Sequence, residues 1–85
     1  MTNTADALKA LRDFVQENFL YMRPGLQFSD SDSLLAKGVL DSLGVMELVG
    51  FVESTYSIEV KPEDITEANF GTLAAVAAYV ARGGK

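Results

Sequence analysis

Asp41-Ser42-Leu43-Gly44-Val45-Met46-Glu47-Leu48-Val49-Gly50-Phe51-Val52-Glu53-Ser54-Thr55-Tyr56 is the stretch that decides the fold. At about 100° per residue, Val45, Leu48, Val49, Val52 and Tyr56 gather on one side, the core face of an amphipathic helix. The spacing predicts a helix over about 42–56, with the short Asp41 side chain as its N-cap. Ser42, Leu43, Met46, Gly50 and Glu53 fall on another side, with Glu47 at its edge. The side that carries the serine therefore also carries two large apolar residues that do not point to the core.

One apolar face needs partners, and they are legible on both sides. Upstream, Leu8, Leu11, Val15 and Phe19 share a face with Ala7 and Phe14 beside them, while Lys9, Arg12, Asp13 and Glu17 take the other. A first helix is expected over about 5–20, capped by Thr4. Arg23-Pro24-Gly25 stops any helix. The connection between the two helices, 21–40, is about 20 residues, long for a compact domain. Its apolar residues, Leu26, Phe28, Leu34, Leu35, Val39 and Leu40, argue against disorder and are expected to pin it to the bundle.

Downstream, Ser57-Ile58-Glu59-Val60 alternates like a strand but has nothing to pair with, so it reads as an extended link. Pro62 opens a single turn through Asp64. A short helix is expected over about 66–70, capped by Thr66 and broken by Gly71. Thr72 caps a last helix over about 73–82, with Leu73, Val76, Ala77 and Val80 as its stripe. Arg82 and Gly83-Gly84 suit its end. The expected fold is all-α: one domain, a small four-helix bundle of three main helices and one short helix, with a long loop between helices 1 and 2.

Composition narrows the chemistry. An 85-residue chain is one domain and buries roughly 60–65% of the surface its unfolded form exposes. That is one thin core with no deep catalytic cleft. There is no cysteine and no histidine. Disulfides, Cys/His zinc sites and catalysis by Ser-His or Cys-His pairs are thereby excluded. The lack of cysteine suits the cytoplasm. The polar start, Met1-Thr2-Asn3-Thr4-Ala5-Asp6, has no basic region, so no signal peptide is expected. The longest apolar run, Leu73 to Ala81, falls far short of the roughly 20 residues that span a bilayer.

The net charge is −5, and its distribution is one-sided. From Gly38 to Ala81 stand Asp41, Glu47, Glu53, Glu59, Glu63, Asp64 and Glu67 against a single base, Lys61. Such a surface repels phosphate backbones, so nucleic acid is not an expected partner. It attracts basic patches on proteins, with Asp41, Glu47 and Glu53 best placed to steer docking at the second helix.

Most motif readings fail. Asp30-Ser31-Asp32 starts like a calcium loop, but Leu34 and Leu35 then occupy the next ligand and glycine positions, leaving a solvated turn. Leu40 stands where a nucleophile elbow needs glycine. No Gly-Lys-Ser/Thr follows Gly38 or Gly44. What remains is Ser42 at a helix start after a long loop. Serine is common there for capping alone. The same place also offers free N–H groups and a positive dipole end to a phosphate, with Leu43 and Met46 as apolar neighbours.

Gly38-Val39-Leu40-Asp41-Ser42-Leu43 resembles the acyl and peptidyl carrier proteins, whose signature is Asp-Ser-Leu opening the second helix. The order of helix, long loop, Asp-Ser-Leu, amphipathic helix, extended link, short helix and final helix resembles the family over almost the whole chain. The resemblance implies a carrier and not an enzyme. It further implies that a phosphopantetheinyl transferase attaches a 4′-phosphopantetheine arm to Ser42, and that the arm holds an acyl or aminoacyl group as a thioester. Asp41, Leu43 and Met46 match the family's recognition positions around that serine.

Two departures refine this. Fatty-acid carriers often have glycine three residues before the serine, whereas Gly38 stands four before Ser42. That spacing is similar to D-alanyl carrier proteins and related stand-alone carriers, which adenylating ligases load. Fatty-acid carriers also often place an acid where Gly44 stands. The partners implied are the transferase, an acyl- or aminoacyl-adenylating ligase, and downstream acyl-transfer or condensing enzymes. The chain is expected to act as a cytoplasmic monomer in a specialised or secondary pathway. The rival expectation is an acidic helical interaction module without a cofactor, using Leu43 and Met46 as its contact.

Overall fold

A computed structural model describes residues 3–21 and 25–84. Its helices are α1 (Thr4–Phe19), α2 (Ser42–Tyr56), α3 (Glu67–Phe70) and α4 (Leu73–Ala81), with one 3-10 turn at Pro62–Asp64. No strand occurs among the described residues. The expected all-α bundle of three main helices and a short one is what forms.

α1 buries Ala7, Leu11 and Val15, spaced four apart, so the stripe runs straight down one side. Leu8, Phe14 and Phe19 flank it, half-buried. The cap is Asn3 rather than the expected Thr4: its Oδ1 accepts the Ala5 N–H at 2.7 Å, and Thr4 becomes the first helical residue. α1 ends at Phe19, with Leu20 as C-cap. The Arg23-Pro24 stop expected downstream lies outside the described residues.

α1 and α4 are the most closely packed helix pair. Composition explains it: Ala74, Ala75, Ala77, Ala78 and Ala81 keep α4 slim, so its axis can come near. Leu73, Val76, Ala77 and Val80 are buried as expected, and Tyr79 is buried with them. The polar tip of Tyr79 is satisfied at Asp64, whose Oδ2 accepts the phenol O–H at 3.0 Å.

The connection 25–40 is anchored by specific bonds as well as by apolar residues. Arg12 donates to Asp30 Oδ1 at 2.6 Å and to the Phe28 carbonyl at 3.3 Å, and its guanidinium lies 4.5 Å over the Phe28 ring. The Asp30 carbonyl accepts the Ala74 N–H and the Gly71 carbonyl accepts the Leu34 N–H, both at 2.9 Å. The Asp30-Ser31-Asp32 turn, expected to be merely solvated, is therefore a staple between α1 and the start of α4. Phe28, Leu34, Val39 and Leu40 are buried and Leu26 is half-buried. Leu35 departs from expectation and stays 48% exposed. Residues 34–37 form a hydrogen-bonded turn that turns Leu34 inward and leaves Leu35 facing out.

That turn closes with Gly38 at φ 72°, a left-handed conformation that glycine takes freely. The Val39 N–H reaches back to the Leu34 carbonyl at 2.9 Å and the Gly38 N–H to the Leu35 carbonyl at 3.1 Å. This pair of bonds is a Schellman cap, with Leu34 and Val39 as its buried apolar contact.

Beyond α2, Ser57 adopts φ 55° and turns the chain into the expected extended link. Glu53 Oε2 accepts the Val60 N–H at 3.0 Å and holds the link against the helix. Pro62–Asp64 forms the predicted turn, Thr66 caps α3 and Thr72 caps α4, each through its hydroxyl.

Candidate functional site

α2 starts where the loop ends because Asp41 holds the chain in an extended conformation and caps the first turn of the helix. Its Oδ1 accepts the Gly44 N–H at 2.7 Å, and its carbonyl accepts the Val45 N–H at 3.0 Å. First-turn N–H groups have no intrahelical acceptor. With Asp41 taking that of Gly44, those of Ser42 and Leu43 remain at the positive end of the helix dipole. Gly44 is buried, and a Cβ there would press at 3.3 Å on Asp41 Oδ1 and on Leu40. The position where the resembling family often has an acid is thus reserved here for the close seat of the cap.

Ser42 is the first residue of α2 and is exposed. Leu43 is 72% exposed and Met46 51%, so the phase read from the sequence holds. Leu48, Val49 and Val52 face inward. Val45 and Tyr56, expected in the core, are only half-buried. Phe51, which the core reading passed over, stacks on Phe14 with ring centroids 4.2 Å apart.

Two depressions meet at Ser42. A groove of about 300 Å³ runs between α2 and α3, with Leu35, Val45 and Met46 on one side and Ile65 and Phe70 on the other. A second, more polar hollow of about 490 Å³ lies toward Phe19, Gly38, Val39 and Asp41. Ser42 and Leu35 border both. Leu35 is therefore a site residue that the pattern reading missed. No periodicity marked it, because its exposure follows from the turn that buries Leu34.

The acids separate by what they touch. Glu47 is exposed on the face of Leu43 and Met46. Asp41 is exposed at the head of the helix while capping it. Glu53 is half-buried and spends one oxygen on Val60, so its carboxylate serves the fold first.

The chemistry available is a primary hydroxyl open to an incoming enzyme, N–H groups suited to a phosphodiester at the same oxygen, and an apolar groove beside it. No helix among the described residues is long and apolar enough to cross a membrane. A family model described as a phosphopantetheine attachment site matches residues 9–80 of the chain. No curated protein and no solved structure matches it.

Proposed function

The chain belongs to the phosphopantetheine-attachment family, whose members carry 4′-phosphopantetheine covalently on a serine, and from that premise we propose that Ser42 is the serine. The observation that carries the assignment is the position of Ser42: exposed at the first residue of α2, directly after the Asp41 cap, on the border of two depressions. The residues fit the arm. The hydroxyl is reachable, the helix start favours the phosphate, and the α2–α3 groove offers an apolar bed for the chain beyond it. The attached arm supplies the thiol that the cysteine-free sequence lacks, and so a thioester for cargo.

The rest of the site presents that arm. Asp41 fixes the orientation of the first turn. Leu43 and Met46 give docking enzymes an apolar contact, and Asp41 and Glu47 give basic rims something to face. The cargo is proposed to be an acyl or aminoacyl group that an adenylating ligase loads, in a specialised pathway. Gly38 supports this reading. Its left-handed cap sits four residues before Ser42, the spacing that resembles stand-alone D-alanyl-type carriers.

The test is intact mass after co-expression with a phosphopantetheinyl transferase. The wild type should gain one phosphopantetheine and Ser42→Ala none, with the fold unchanged because Asp41 still caps α2. Modification of the alanine variant moves the site elsewhere. A wild type that is never modified leaves an acidic interaction module built on Leu43 and Met46.

A further inference from the structure

Nothing among the described residues explains Gly50. It stands in the middle of α2, exposed, and a Cβ added there would meet no atom of the described residues within 4 Å. Glycine in an exposed helix interior weakens the helix, because its backbone loses more freedom on folding than any other residue. Alanine would fit without strain.

What Gly50 shares is a face. Leu43, Met46, Glu47 and Gly50 stand at i, i+3, i+4 and i+7, and all four are exposed. Gly50 points away from the side that buries Leu48 and Val52. The face around Ser42 thus carries two bare apolar side chains at one end and a bare stretch of backbone at the other.

Distance decides whether a docked enzyme reaches it. Eight residues of helix separate Ser42 from Gly50, about 12 Å at 1.5 Å per residue. A standard interface covers about 800 Å² per partner, a disc of roughly 16 Å radius. An interface of that size centred on Ser42 therefore reaches Gly50. The charge on this stretch defines the partner further. From Gly38 to Val60 there are Asp41, Glu47, Glu53 and Glu59 and no base.

Resting on the carrier reading above, we infer that Gly50 is a close-approach point for the enzyme that attaches the arm. That enzyme lays a backbone segment against α2 at Gly50. Its apolar side chains meet Leu43 and Met46, and its basic side chains surround them toward Asp41 and Glu47. The glycine is retained at a cost in stability because any Cβ would hold the two backbones apart.

The experiment uses the full chain with Gly50→Ala and Gly50→Leu. It measures Tm, the Kd of the unmodified protein for a phosphopantetheinyl transferase, and the KM of arm transfer from coenzyme A. Gly50→Ala should raise Tm by about 4–8 °C and weaken Kd several-fold. Gly50→Leu should weaken Kd and raise KM by about tenfold or more, with kcat little changed. Ala5→Leu, which adds three of the same four carbon atoms at an exposed position of α1, should leave both at wild-type values. Gly50→Leu docking as well as wild type overturns the inference and leaves the carrier reading intact. So does Gly50→Ala gaining stability with no loss of affinity. A wild type that never acquires the arm overturns both.

Discussion

α4 and α2 are both strongly apolar, and they use that property in opposite ways. α4 buries Leu73, Val76, Ala77, Tyr79 and Val80 in nine residues, and its alanines let α1 lie close. α2 buries Leu48, Val49 and Val52 but leaves Leu43 and Met46 in water, along with an unprotected glycine. Apolar content alone does not separate a structural helix from a working one. The split does. On the proposed carrier reading, a helix that has a sufficient core face and also exposes large apolar side chains beside a reachable hydroxyl offers its second face to another molecule.

The largest effects should fall on this division. Leu73→Ala in α4 and Leu48→Ala in α2 each empty a fully buried position and should lose about 2–5 kcal/mol of stability. Met46→Glu, on the same helix as Leu48, should stay within about 0.5 kcal/mol of wild type yet slow arm attachment markedly. Urea unfolding and transferase kinetics on the three variants decide it. If Met46→Glu unfolds the domain as Leu48→Ala does, the two faces of α2 are not distinct.

A smaller effect compares the two helices through their tyrosines. Tyr79 of α4 is buried, and burial together with its bond to Asp64 pushes its phenol above the ordinary tyrosine value. Tyr56 of α2 is half-buried and is pushed the same way, first by burial and then by Asp6. In each case the folded pKa lies above the unfolded one. The stability they lend is full below about pH 10 and is lost as pH rises toward the folded value, because the unfolded chain ionises first. Tyr79→Phe should cost about 1 kcal/mol at neutral pH and lessen the alkaline decline, and Tyr56→Phe should lessen it too. Denaturation midpoints from about pH 8 to 11 read this out. An unchanged decline in Tyr79→Phe would mean that the Tyr79 phenol ionises alike in the folded and unfolded chain, shifted neither by burial nor by Asp64.

How much of the molecule is readable from sequence depends on whether one residue or several carry the signal. The four helices are legible because periodicity repeats: one misplaced residue does not hide a stripe such as Ala7, Leu11 and Val15. Caps rest on single residues and go both ways. Asp41, Thr66 and Thr72 are readable, whereas Asn3 and Thr4 offer the same chemistry side by side. The site's hydroxyl, apolar neighbours and acids are legible from α2 alone. Leu35 is not, because its exposure comes from the Schellman turn that buries Leu34, and pattern reading has no term for that. The inward turn of Glu53 depends on where the link after Ser57 passes, which is set by tertiary structure. The Arg12 staple likewise joins residues on different elements.

The smallest expected effect separates acids that serve docking from acids that serve the fold. Glu47 and Glu53 lie on the same helix, but Glu47 is exposed while Glu53 holds the Val60 N–H. Exposed charges act mainly on association rate, and salt screens them beyond about 8–10 Å. Raising ionic strength should therefore raise the transferase KM a few-fold with kcat little changed. Glu47→Lys should reproduce that rise at low salt. Glu53→Gln keeps an oxygen for Val60 and removes only the charge, so KM should stay near wild type. If Glu53→Gln raises KM as much as Glu47→Lys, the net charge of α2 matters rather than the position of its acids. If neither salt nor Glu47→Lys moves KM, docking rests on Leu43 and Met46 alone, and the exposed apolar face carries recognition without electrostatic help.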